Sequence, residues 1–235
     1  KGMSGGLVLI TRPRPQAEET ARDIEALGHA TLIEPLLDIH SLEFTVPGRA
    51  YGGVILTSVQ AVRALKRTGV RADIPVFVVG EQVAEALKAE GFGSIAAVAP
   101  AAQVLAEQLE VGYTPYLYLC GLDTAFPMRE YLDGKGIACE VVPVYEAVAA
   151  RGFSEACAAA LRDGQVRAVT LFSARSARIF CDLYAPFARR DIKLLCFGNS
   201  VLECVRSYKY IGDFSNTYGC EARREEFLSL VRTAL

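Results

Sequence analysis

Six stretches of the chain break from an apolar run into small, hydroxylic or basic residues and then resume at helical spacing. They are TRPRPQ from Thr11, TSVQ from Thr57, VGEQV from Val79, CGLDT from Cys120, FSARS from Phe172 and FGNSV from Phe197. A strand-to-helix turn of this kind can hold an anion. The first four backbone N–H groups of a helix lack intrahelical partners. They carry partial positive charge and suit carboxylates or phosphates. Glycine lets a ligand approach the backbone closely. On these grounds Thr57, Ser58, Gly80, Gly121, Ser173, Gly198 and Ser200 are candidate binding positions. The hydroxyls among them also suit helix capping, and a capped end can still face a ligand. Arg12 and Arg14 add full positive charge to the first turn, and Arg12 is taken as the binding residue. Tyr145 lies just past Pro143. A phenol there either packs or donates a proton or hydrogen bond.

The elements around these turns alternate. Leu7 to Ile10 reads as a strand covered on both faces. Pro13 and Pro15 fit a turn and a first helical position. Ala17, Thr20, Ala21, Ile24 and Leu27 then share one helical face, which Gly28 ends. ATLIEPL is a second strand. Residues 116–148 repeat this pattern: strand, turn with Gly121, helix, Gly136, strand, with Pro143 answering Pro35. A second unit starts at VILTSVQAVRAL, continues through IPVFVVGEQVAEALKAEGF and SIAAVAP, and closes with AQVLAEQL. Its echo is VTLFSARSARIF, IKLLCFGNSVLECVRSY, the less regular YIGDFSNTYG, and REEFLSLV, with Gly198 answering Gly80. An internal repeat of alternating strands and helices predicts an α/β fold with two flavodoxin-like parallel-sheet lobes. In such sheets ligands bind at the carboxyl ends of the strands, near topological switch points.

The chain has 235 residues, 51% of them apolar, and a net charge of −2. That balance points away from nucleic acid and from anionic membranes. No apolar run reaches the ~18 residues of a membrane span. The opening KGMSGG lacks the apolar core of a secretory signal, and Lys1-Gly2 before Met3 read as a remnant of cloning. The seven cysteines are odd in number and have no C-x-x-C spacing, so they read as reduced, buried thiols in a cytoplasmic protein. With His29 and His40 as the two imidazoles, no zinc site is expected. His40 reads as structural or solvated, and Arg63, Lys66 and Arg67 as a solvated helix face. The single-glycine turns VGEQ and FGNS do not make the G-x-G-x-x-G dinucleotide motif, and no Walker lysine motif is present. A phospho-acceptor module would need aspartates where Thr11, Thr57 and Cys120 stand.

Assembled in order, LVLITRP, VILTSVQAV, VVGEQVAEALKAEGF, EVVPVYEAV, LFSARSARIF and CFGNSVLECV resemble the uroporphyrinogen-III synthase family over essentially the whole chain. The resemblance implies lobes assembled from exchanged halves. Residues 1–38 and 150–235 form one lobe and 50–143 the other, joined by a two-stranded linker of residues 39–49 and 144–149. It implies a cleft between the lobes, and a monomer that uses no cofactor. The implied substrate is hydroxymethylbilane, delivered by hydroxymethylbilane synthase and cyclised with inversion of ring D. Tyr145 falls on the family's motif tyrosine, a proposed proton donor to the leaving hydroxyl. Ser58 falls on its T-S turn, Gly80 on its V-G turn, and Ser173 and Gly198 on the second-copy equivalents. Where the family often has threonines, this chain has Val83 and Val201, with Ser200 the nearest hydroxyl to the second. The alternative is a noncatalytic binding or regulatory module of the same fold.

Overall fold

The computed structural model describes residues 6–14, 16–187, 191–208, 216–221 and 223–235. Lys1, Gly2, Pro15 and most of the irregular YIGDFSNTYG segment lie outside these. The chain divides into two units, Lys1–Asp38 with Val148–Leu235, and Ile39–Ala147.

The first unit contains β1 (Leu7–Ile10), α1 (Gln16–Ala26), β2 (Thr31–Ile33), α6 (Glu155–Arg162), β9 (Val166–Leu171), α7 (Ala174–Tyr184), β10 (Lys193–Phe197), α8 (Asn199–Arg206), β11 (Thr217–Cys220) and α9 (Arg224–Ala234). Its sheet runs β2-β1-β9-β10-β11, parallel throughout. This is the flavodoxin-like order, and its switch point falls between β1 and β9. Alternate side chains of β1 go to opposite faces. Val8 and Ile10 pack with Ile24, Phe227 and Val231 of α1 and α9. Leu9 packs with Leu161, Phe180 and Val201 of α6, α7 and α8.

The second unit contains β4 (Gly53–Leu56), α2 (Val59–Leu65), β5 (Val76–Val79), α3 (Glu81–Ala89), β6 (Ile95–Ala99), α4 (Ala102–Gln108), β7 (Tyr116–Gly121) and α5 (Met128–Gly134). Two further strands, β3 (Leu37–Ser41) and β8 (Cys139–Ala149), carry the chain between the units. Both belong to this unit's sheet, ordered β3-β8-β7-β4-β5-β6. The expected linker segments are thus strand at 39–41 and 144–149, while residues 42–49 carry no helix or strand. Leaving β3 aside, the order matches that of the first unit if β7 takes the place of β1 and β4 that of β9. The switch point then lies between β7 and β4. Every residue of β4 and β7 is buried, as a sheet covered on both faces requires. Leu56 faces α2 and α3, and Ile55 faces α4 and α5.

Local chemistry explains the element ends. Gly28 (φ 92°) and Gly136 (φ 71°) lie just past α1 and α5 in the left-handed region that glycine enters freely. The Ser58, Ser154 and Ser173 hydroxyls cap α2, α6 and α7 by accepting backbone N–H bonds.

Candidate functional site

Parallel strands bring their carboxyl ends to one edge of each sheet. In the first unit this edge gathers Arg12, Ser173, Gly198 and Ser200. Thr11, fully buried, donates through Oγ1 to the Thr170 carbonyl at 2.7 Å, and Thr170 donates to the Leu9 carbonyl at 3.2 Å. These bonds pin β1 to β9 at the switch point. Arg12 follows directly. Its guanidinium lies 4.2 Å from the Phe172 ring centroid and donates to Thr20 Oγ1 at 3.2 Å. Burial lowers its pKa from the ordinary value, partly offset by Glu19. No carboxylate among the described residues forms a salt bridge with it. A cation desolvated without an ion pair favours an incoming anion. Arg14, by contrast, is exposed and paired with Glu18.

Ser173 accepts from Ser176 N–H at 3.0 Å and donates to Ser176 Oγ at 2.9 Å, so its hydroxyl is occupied within α7. Gly198 and Gly80 take the same role in the two units. They stand at φ 94° and 83° as N-caps of α8 and α3, and donate to the Cys220 and Ala99 carbonyls, each at 2.9 Å. Among the described residues, its chain neighbours aside, nothing lies within 4 Å of a Cβ built on Gly80, so the backbone there is uncrowded. Ser200 is exposed on α8 and lines a groove with Arg178 and Glu203. Val83 and Val201 are buried in the cores, where an apolar side chain is at home.

In the second unit the corresponding edge of its own sheet gathers Thr57, Ser58, Gly80, Gly121 and Tyr145. Ser58 accepts from Gln60 N–H at 3.2 Å. Gly121, expected in a turn, is the last residue of β7 and buried. The register slips here: Cys120 pairs with Pro143, but Gly121 pairs with Tyr145, passing over Val144. Such a bulge re-aims the side chain that follows it. It lays the Tyr145 ring over Gly121, where a Cβ would meet Cζ at 2.9 Å and the phenol oxygen at 3.1 Å. Leu122 N–H donates to the Tyr145 carbonyl at 2.8 Å and holds the strand in that register.

Tyr118 was not among the expected site residues. Its hydroxyl lies 3.1 Å from Thr57 Oγ1, and burial pushes its pKa up to about 12. The signal was a tyrosine inside the apolar YLYLC run, because a buried phenol needs a partner. Of the other candidates, His40 Nδ1 lies 3.6 Å from Glu146. Lys66 pairs with Glu90 and Arg67 with Glu43, so the expected solvated face is partly salt-bridged. None of the seven cysteines is in a disulfide, and five of them are buried. Among the described residues no acidic, histidine or cysteine cluster is arranged for a metal, and no helix is long and apolar enough to cross a membrane.

Two flavodoxin-like units, each built on parallel strands with helices on both faces, define the class as a two-lobed α/β protein. The family described as uroporphyrinogen-III synthase HemD matches residues 18–210, and the chain belongs to that family. Uroporphyrinogen-III synthetase from Helicobacter pylori is similar in structure, with a TM-score of 0.64 at 16% identity, covering 98% of this chain and 100% of that one. A mutant uroporphyrinogen III synthase from Thermus thermophilus gives a TM-score of 0.60 at 17% identity, covering 97% of each chain. At these identities the likeness is one of fold. No curated protein matches the sequence.

Proposed function

We propose that the chain converts hydroxymethylbilane to uroporphyrinogen III by loss of water, ring closure and inversion of ring D. Family membership over residues 18–210 is the observation that carries this reading. The reaction has no net redox change, and the proposal includes no cofactor. The substrate's carboxylates suit the Arg12 guanidinium, which is desolvated and forms no salt bridge among the described residues, and the glycine-capped ends of α3 and α8 at Gly80 and Gly198. Thr57 and Ser58 are assigned to the binding edge of the second unit, and Ser173 and Ser200 to that of the first. Tyr145 is assigned as the proton donor to the departing hydroxyl, and Gly121 makes room for its ring.

The proposal includes supply by hydroxymethylbilane synthase and action as a monomer in the cytoplasm, where free thiols persist. Freshly prepared hydroxymethylbilane is the test. The chain should raise the type III product well above the type I isomer of spontaneous closure. A product mixture equal to that of the uncatalysed reaction overturns the proposal.

A further inference from the structure

Tyr118 has no role in the binding edge described above, yet it touches that edge. It sits on β7, one strand from Thr57 and across the switch point between β7 and β4. Its ring is buried, at 3% exposure, while Thr57 is half-buried. The two hydroxyl oxygens are 3.1 Å apart. We infer that Tyr118 is a positioning residue, which takes the Thr57 oxygen as its acceptor and so leaves the Thr57 proton for a substrate carboxylate. The inference rests on the proposed function for the identity of that carboxylate.

Either hydroxyl could donate, and burial decides between them. If Thr57 donated, the Tyr118 proton would be buried with no acceptor among the described residues, an arrangement folded proteins avoid. If Tyr118 donates, its only proton is used, and the Thr57 proton remains on a half-exposed group. The phenol stays protonated through the neutral range because burial holds its pKa near 12. Two other buried hydroxyls show the alternative arrangement. Thr11 spends its proton on the Thr170 carbonyl. Tyr116 is satisfied by the segment just before its strand, accepting from Glu110 N–H at 3.1 Å and donating to the Glu110 carbonyl at 3.0 Å. Thr57 makes no such bond to backbone among the described residues. Its hydroxyl is oriented and unspent, at the place where an open parallel sheet binds ligands.

The test compares Tyr118→Phe, Thr57→Val, Thr57→Ser and the double variant Tyr118→Phe/Thr57→Val. Three measurements serve: kcat and KM for hydroxymethylbilane, fluorescence titration with uroporphyrin III as a stable octacarboxylate probe, and the melting temperature. Tyr118→Phe and Thr57→Val should each weaken probe binding and raise KM by about 2- to 10-fold, the value of one hydrogen bond. The change should fall on KM more than on kcat. The double variant should be no worse than the poorer single one, and Thr57→Ser should recover most of the binding. Wild-type binding in Tyr118→Phe overturns the inference, as does multiplication of the two losses. A lowered melting temperature with unchanged KM would make the pair structural and also overturns it. If the wild type binds the probe but forms no uroporphyrinogen III, the proposed activity fails, while the titrations still decide the role of Tyr118.

Discussion

Gly121→Ala tests the proposed placement of Tyr145 with one methyl group. No positive φ marks this position, so alanine brings contact rather than backbone strain. The new Cβ would lie 2.9 Å from Cζ, 3.0 Å from Cε2 and 3.1 Å from the phenol oxygen. Ordinary contact begins at 3.4 Å. The ring must therefore retreat by about 0.5 Å or more, and misplacing a reacting group by ~1 Å can cost on the order of 10²-fold. The ceiling is what Tyr145 itself contributes. General acid catalysis is typically worth ~10²- to 10⁴-fold. This hydroxyl leaves with help from the pyrrole nitrogen, so about 3- to 100-fold is expected for Tyr145→Phe. Gly121→Ala should lower kcat within that range. Crowding should also cost about 1–3 kcal/mol of stability, read by denaturant unfolding. Gly121→Ala/Tyr145→Phe should turn over no more slowly than Tyr145→Phe, because the methyl displaces a group already removed. Wild-type kcat in Gly121→Ala would refute the reasoning. So would a double variant slower than Tyr145→Phe by the full factor of the glycine change.

Tyr145→Phe keeps the ring, so its residual product should stay type III; a switch to type I would mean the phenol shapes the substrate rather than protonating the leaving group. Arg12→Gln should raise KM for hydroxymethylbilane by about 10-fold with little change in kcat, and the wild-type affinity should fall with added salt; a salt-independent KM would count against the guanidinium. Glu34 accepts from Ser154 N–H and Ser154 Oγ, each at 2.6 Å, and joins segments 120 residues apart, so Glu34→Ala should cost about 1–3 kcal/mol in denaturant unfolding. Burial raises the Cys139, Cys157 and Cys196 thiols to about 12. Their folded-state pKa lies above the unfolded value near 9, so the stability they support is complete below that pH and is lost as pH rises from there through about 12. Unfolding under reducing conditions at successive alkaline pH values should show that decline, and stability that instead rose above about pH 9 would contradict it.

The sequence by itself determined what short-range chemistry controls. The glycines at 28, 80, 136 and 198 were legible because only glycine enters those positive-φ turns freely. The alternation of apolar runs with helical periods, and the hydroxylic turns between them, followed from local pattern. So did the candidate edge at the carboxyl ends of the strands. Tertiary structure decided the contacts made between distant segments. It set β1 beside β9, with Thr11 bonded to a carbonyl 159 residues away. It made β7 run through Gly121, passed over Val144 in the β8 register, and laid Tyr145 on the glycine. It brought Tyr118 to Thr57 across 61 residues, a pairing no local spacing encodes. It turned Arg12 onto Phe172 and away from full hydration, and it spent the Ser173 hydroxyl inside its own helix. The division has a physical cause. Turn and helix signals are written in a few adjacent residues, whereas register, side-chain direction and desolvation depend on which strand lies alongside.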